Sequence, residues 1–294
     1  MEKGAPVLEV SDLSVRFDMR GGILNRVQAR VHAVEQVSFT VRAGETLALV
    51  GESGCGKSTI GKALLGLVPW QGSISVLGQQ TYGMGPGALK PVRRDIQMVF
   101  QDPGASLDAR MTVGEQVAEP LVIHGLSSGS EMSDRTAELF RRVGLSPDMM
   151  QRYPHEFSGG QRQRINIARA LSLSPKILVA DESVSALDVS VQAQVLNLLA
   201  DLKKKFGLTY IFISHDLAVV EAVSDRVAVL YFGSVVEVGP ADQVFAAPRH
   251  PYTKLLADSA PVVGRPLASP EAKETELPDP LNPPQGCAFR ARCP

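Results

Sequence analysis

Cysteine is scarce in this chain. Its 294 residues hold three, Cys55, Cys287 and Cys293, and so odd and sparse a count argues against a disulfide framework. No apolar run approaches the roughly 20 residues that a membrane-spanning helix requires. Met1–Pro6 lacks the apolar centre of a signal peptide, so the chain is expected to stay in the cytoplasm. Neither sign of charge dominates: 30 Lys and Arg face 31 Asp and Glu, for a formal net charge of −1. Without a long basic run, nucleic acid is not an expected partner. His32, His124, His155 and His250 show no metal-ligand spacing, and no internal repeat is visible. What is present, 44% hydrophobic and 21% charged residues, is the composition of a globular protein with one large domain, or a domain plus appendages.

One stretch dominates the rest. Gly51-Glu52-Ser53-Gly54-Cys55-Gly56-Lys57-Ser58 matches G-x-x-x-x-G-K-[ST], the loop that wraps nucleotide phosphates. The apolar run Thr46–Val50 before it predicts a buried strand. Thr59–Leu65 after it predicts a helix, which is the context the loop needs. Glycines let backbone N–H groups turn inward around an anion, and a helix N-terminus adds favourable partial charge. The run Gly51, Ser53, Gly54, Cys55, Gly56, Lys57, Ser58 and Thr59 is therefore expected to hold the phosphates of a nucleotide, with Cys55 at a free position of the loop. Lys57 would reach the β- and γ-phosphates, and Ser58 would ligate Mg²⁺.

The surrounding pattern alternates strands and helices. Val7–Val10 and Leu13–Phe17 alternate like an edge strand or hairpin, a basic stretch from Asp18 to Arg30 interrupts, and Val34–Val41 resumes. With Gly72–Gly78 these predict a small antiparallel sheet. Ile96–Phe100, Ile177–Ala180 and Thr209–Ile213 read as buried strands. Val113–Ile123 and Ser133–Val143 have helical periodicity within an inserted helical subdomain at about 103–158. Helices are also expected at Gln161–Leu171 and Val191–Lys204. The fold class is α/β, with a largely parallel sheet at its core. A proline-rich tail, extended along the surface, is expected to follow from 258 to 294.

A second constellation ends the strand Ile177–Ala180 in two carboxylates, Asp181 and Glu182. Ligands of parallel sheets bind at such strand ends. Asp181 would hold Mg²⁺ through water, and Glu182 would polarise the attacking water. Together with Ser158-Gly159-Gly160-Gln161, the set resembles the nucleotide-binding subunits of ATP-binding cassette transporters over about residues 7–257. That resemblance implies a P-loop NTPase core of RecA-like type, and ATP with Mg²⁺ as its ligands. It assigns Gln101 to the Q-loop, where it contacts Mg²⁺ and takes part in catalysis, Ser185–Asp188 to the D-loop, His215 to the γ-phosphate, and Phe17 to adenine. It also implies a head-to-tail dimer in which Ser158, Gly159, Gly160, Gln161 and Asp188 of one protomer close over ATP held by the other. The chain departs from the commonest family pattern at Phe157, at Ser183-Val184 and at Cys55, none of which removes a charge or a phosphate ligand.

Further stretches are similar to one subfamily, the ATPases of bacterial dipeptide and oligopeptide importers. They are Tyr153–Gln161, Ala186–Ser190, His250–Thr253 and Pro283–Pro294. The insertion Gly21–Val27 and the following Val31–Val34 look most like the second ATPase half of glutathione-type importers. The resemblance implies as partners a second ATPase subunit, either another copy or a paralogue, two membrane-spanning permeases and a periplasmic solute-binding protein. It places the chain peripherally on the cytoplasmic face of the inner membrane. Some relatives carry an iron–sulfur cluster in this tail. Such clusters usually need four cysteines, and Cys287 with Cys293 supplies two, so a 4Fe–4S cluster is expected only if the chain continues beyond Pro294. A non-transport cassette ATPase working on nucleic acid or ribosomes is the competing class. It is disfavoured by the absence of coiled-coil insertions, a second cassette or basic patches.

Overall fold

The computed structural model describes residues 4–21, 26–185, 187–259 and 278–294. Residues 22–25 of the insertion, Ala186 of the D-loop stretch and residues 260–277 of the proline-rich tail lie outside the described residues. In chain order the elements are β1 (Pro6–Gly21), β2 (Arg26–Arg42), β3 (Thr46–Val50), α1 (Lys57–Leu64), β4 (Gln71–Val76), β5 (Gln79–Gln80), α2 (Pro86–Asp95), β6 (Ile96–Val99), α3 (Val113–Ile123) and α4 (Gly129–Arg142). After these come α5 (Gly159–Leu171), β7 (Ile177–Asp181), α6 (Val189–Phe206), β8 (Thr209–Ile213), α7 (Leu217–Val223), β9 (Arg226–Tyr231), β10 (Ser234–Pro240), α8 (Ala241–Ala246) and α9 (Pro251–Ser259). The strands β3, β7 and β8 are buried at every position. Strands covered on both faces carry unbroken apolar runs, which is why these three were legible as sequence.

The chain forms two compact units, 1–83 with 212–294, and 84–211. In the first, an antiparallel sheet runs in the order β2-β1-β4-β5, as the alternating pattern predicts. Here too β3 pairs in parallel with β9, from Leu47↔Arg226 to Val50↔Val229, and β10 pairs antiparallel to β9. The expected interruption between Asp18 and Arg30 does not occur among the described residues. The β1–β2 ladder continues through Asp18↔Arg30, Met19↔Ala29 and Gly21↔Arg26. The reason is exposure. β1 is mostly exposed from Phe17 onward, so no buried face imposes alternation there, and a cross-strand Arg30–Asp18 ion pair at 2.7 Å joins the two strands instead. α9 runs through Ser259, past the expected end of the cassette at 257.

In the second unit β7 lies between β6 and β8, and β6 pairs with it in parallel from Ile96↔Ile177 to Val99↔Ala180. Helices α3 and α4 fall inside the expected 103–158 segment, but α5 packs with the same group. Arg164 Nη1 donates to the Val143 carbonyl at 2.9 Å, Asn166 Nδ2 to Pro103 at 3.3 Å, and Arg169 Nη1 to Ser106 at 2.7 Å. Burial lowers the Arg169 pKa, with Glu119 acting in the opposite direction.

Candidate nucleotide site

The phosphate loop is shaped by two glycines that no other residue could replace. Gly51 has φ +149°, and a Cβ there would sit 2.2 Å from the Leu230 carbonyl oxygen. Gly56 has φ +103°, and a Cβ there would sit 2.4 Å from the Ala33 carbonyl oxygen. Both approach backbone, which cannot give way as a side chain can. Gly56 is also the N-cap of α1, so the loop delivers the chain directly into a helix N-terminus, the geometry that favours bound anions. Lys57 is 4% exposed, and its Nζ donates to the carbonyls of Gly51 and Glu52, each at 2.8 Å. The ammonium thus sits inside the loop. Ser53 and Gly54 are exposed, Ser58 and Thr59 half-buried. The Cys55 thiol is buried 3.7 Å from Lys57 Nζ, and burial is the main reason its pKa is raised. A thiol so held stays protonated and inert, in keeping with its free place in the motif.

In the same unit Phe17 lies on β1 with 37% of its surface exposed, an aromatic face open to stacking. Just beyond β8, Ser214 N–H donates to the Leu49 carbonyl of β3 at 3.3 Å. His215 is the next residue and is exposed. Asp216 follows and caps α7 through the N–H groups of Ala218 and Val219.

The second unit holds the carboxylates. Asp181 ends β7 and is 3% exposed. Glu182 follows with φ +42°, a left-handed conformation that costs a residue with a Cβ about 1–2 kcal/mol. Strain of this kind gathers at working sites. Gln101 Nε2 donates to Glu182 Oε2 at 2.7 Å, so the structure brings together two side chains that the sequence separates. The Glu182 carbonyl accepts from Ser185, through N–H at 3.2 Å and Oγ at 2.9 Å.

The signature segment opens α5 as a reciprocal cap. Ser158 Oγ accepts from Gln161 N–H at 3.3 Å, and Gln161 Oε1 accepts from Ser158 N–H at 3.0 Å. The sequence carries this signal, S-x-x-Q ahead of a helix, in the same residues that are expected to contact nucleotide. A Cβ on Gly160 would lie 2.3 Å from Val191 Cγ1, and one on Gly159 would lie 3.5 Å from Leu187 Cδ2. The signature is therefore packed against the D-loop and the first turn of α6. Asp188, the N-cap of α6, is exposed and makes no side-chain cap.

The residues expected to hold Mg²⁺ are a hydroxyl, an amide and a carboxylate: Ser58, Gln101 and Asp181. All are hard oxygen donors, and one buried carboxylate is what Mg²⁺ requires when phosphates and water complete its shell. Among the described residues no three His, Cys, Asp or Glu side chains cluster as a metal site. Cys287 and Cys293 are both exposed, and the two thiols do not make the four-cysteine set of an iron–sulfur cluster.

The fold and the loop define a P-loop α/β nucleotide-binding protein. The family model described as ABC transporter matches residues 34–185. The model described as the oligopeptide/dipeptide transporter C-terminal region matches residues 236–294. The chain belongs to the ABC transporter family. It is 58% identical over 260 residues to the glutathione import ATP-binding protein GsiA of Escherichia coli K12, covering 88% of this chain and 42% of that one. It is 56% identical over 272 residues to the protein of the same name from Pectobacterium atrosepticum, covering 92% and 43%. The chain thus spans under half the length of these curated relatives. Among solved structures it resembles a dimeric, post-hydrolysis ATP-binding cassette bound to ADP and Pi, at 28% identity and TM-score 0.70, covering 80% of this chain and 98% of that one. A Clostridium perfringens protein that is part of an ABC transporter complex matches at 27% identity and TM-score 0.69, covering 84% and 92%.

Proposed function

We propose that this chain is the ATP-hydrolysing nucleotide-binding subunit of a bacterial importer for dipeptides, oligopeptides or a related small solute such as glutathione. The observation that carries the reading is the 2.7 Å Gln101–Glu182 contact at the end of β7, in a chain whose phosphate loop is already folded around Lys57.

The loop amides and Lys57 bind the phosphates, and Phe17 stacks on adenine. Ser58, Gln101 and Asp181 would hold Mg²⁺, which would supply charge neutralisation on the phosphoryl oxygens. Glu182 accepts a hydrogen bond from the attacking water and orients it in line with the γ-phosphorus. As the new P–O bond forms, the bond to the ADP oxygen breaks, and the water's proton passes toward the carboxylate. Gln101 holds the Glu182 side chain, and His215 contacts the γ-phosphate. Ser158, Gly159, Gly160 and Gln161 present a helix N-terminus to the γ-phosphate bound by a partner ATPase, either a second copy or a paralogue, with Asp188 beside it. Closure is then passed to two membrane permeases that receive solute from a periplasmic binding protein. No helix among the described residues is long and apolar enough to cross a membrane, so the reading assigns the crossing to those permeases and the chain to the cytoplasmic face.

The test is steady-state phosphate release by the full chain. Glu182→Gln, which keeps shape and removes the acceptor charge, is expected to reduce kcat by at least about 100-fold with little change in ATP affinity. A variant turning over at the wild-type rate would remove Glu182 from the mechanism.

A further inference from the structure

The C-terminal segment ends on the phosphate loop. Phe289, in a short 3-10 turn at Ala288–Ala291, is 3% exposed. It meets Tyr231 edge-on at 5.1 Å and lies 5.7 Å from Tyr252 and 5.6 Å from His250. This aromatic seat carries Arg292, whose guanidinium lies 5.9 Å from the Tyr231 ring centre and 5.8 Å from that of Phe289. Its Nη1 reaches the Glu52 carboxylate at 3.0 Å. Glu52 is the residue after the loop's first glycine, and it is held at three points. Its N–H donates to Tyr252 Oη at 2.8 Å, its carbonyl accepts from Lys57 Nζ at 2.8 Å, and its carboxylate takes Arg292. Burial raises the Tyr252 pKa, so the phenol stays neutral.

A carboxylate in a loop that must accept a polyanion opposes binding unless it is neutralised. Arginine suits that task because its charge is permanent and its planar group stacks on aromatic rings. We propose that Arg292 is a positioning residue for the phosphate loop: the tail seats it on Glu52, cancels that carboxylate and sets the loop for a triphosphate. The inference rests on reading this loop as an ATP site. It gives the C-terminal region a role in nucleotide affinity that its two cysteines do not supply.

The test measures equilibrium binding of MgATP to the full chain by displacement of a fluorescent ATP analogue, with a melting curve to confirm that each variant is folded. Arg292→Ala is expected to weaken MgATP about tenfold, because an uncompensated charge then faces the phosphates. Arg292→Lys should lose less. Adding Glu52→Gln to Arg292→Ala should return affinity to within about twofold of wild type, a rescue that lost packing alone would not show. A loss that persists in the double variant overturns the proposal, as does wild-type affinity in Arg292→Ala. If Arg292→Ala does not fold, Glu52→Gln alone decides. It keeps the aromatic seat and is expected to bind MgATP at least as tightly as wild type, so weaker binding overturns the proposal. Failure of the wild-type chain itself to bind MgATP would instead overturn the ATP-site reading.

Discussion

At the scale of single residues, charges in this protein are placed against specific partners. Arg16 grips Glu35 with two bonds of 2.8 Å, Nε to Oε1 and Nη2 to Oε2. His32 Nδ1 adds a third contact to the same carboxylate. The Arg16 hydrogen bond is the largest cause of a lowered Glu35 pKa, with burial opposing it. A carboxyl whose folded pKa lies below its unfolded value stabilises the fold above the unfolded pKa, and loses that contribution as pH falls through the folded one. The contribution of this pair is therefore full above the ordinary glutamate pKa and fades as pH falls through the lowered folded value. Replacing Arg16 by Met should flatten that part of the acid limb of melting temperature against pH. An unchanged acid limb would show that the pair contributes nothing. The sequence does not reveal such a pair, because the two residues meet only through the β1–β2 register.

At the scale of elements, the chemistry-bearing segments are those whose local sequence leaves little choice. The α5 start reads directly as a capping box, and β3, β7 and β8 read as buried runs. The polar part of the β1–β2 hairpin and the strands β9 and β10 are not legible in the sequence. The hairpin has no buried face there to impose a period. In β10 the burial pattern is mostly intermediate, so it lacks the alternation of a half-buried strand. The packing of α5 against α6 was likewise beyond the sequence, and it makes a prediction. Gly160→Ala places a methyl group 2.3 Å from Val191 Cγ1. Val191 is β-branched and stiff on a helix, so the cost should be about 1–3 kcal/mol of stability by urea unfolding. Val191→Ala in the same chain should recover most of it. Failure of that rescue would place the strain elsewhere.

At the scale of the whole molecule, the proposed mechanism requires two cassettes per catalytic event, because in it the Ser158–Gln161 helix start would serve ATP bound by a partner. If a second copy can fill that place, Glu182→Gln with MgATP should sediment as a dimer of the 31.5 kDa chain, and ADP should return it to a monomer. A monomer in ATP would point instead to a paralogous partner. The sequence alone determined the phosphate loop, the strand ending in Asp181 and Glu182, and the order of the motifs. Those are local demands, namely left-handed glycines, unbroken apolar runs and helix starts, each met within a few neighbouring residues. Only the tertiary structure decided that Gln101 meets Glu182 across 81 positions, and that Arg292 closes on Glu52 across 240. Contacts at that range depend on the path of the chain and on the aromatic seat formed by Tyr231, Tyr252 and Phe289, and no local pattern encodes either.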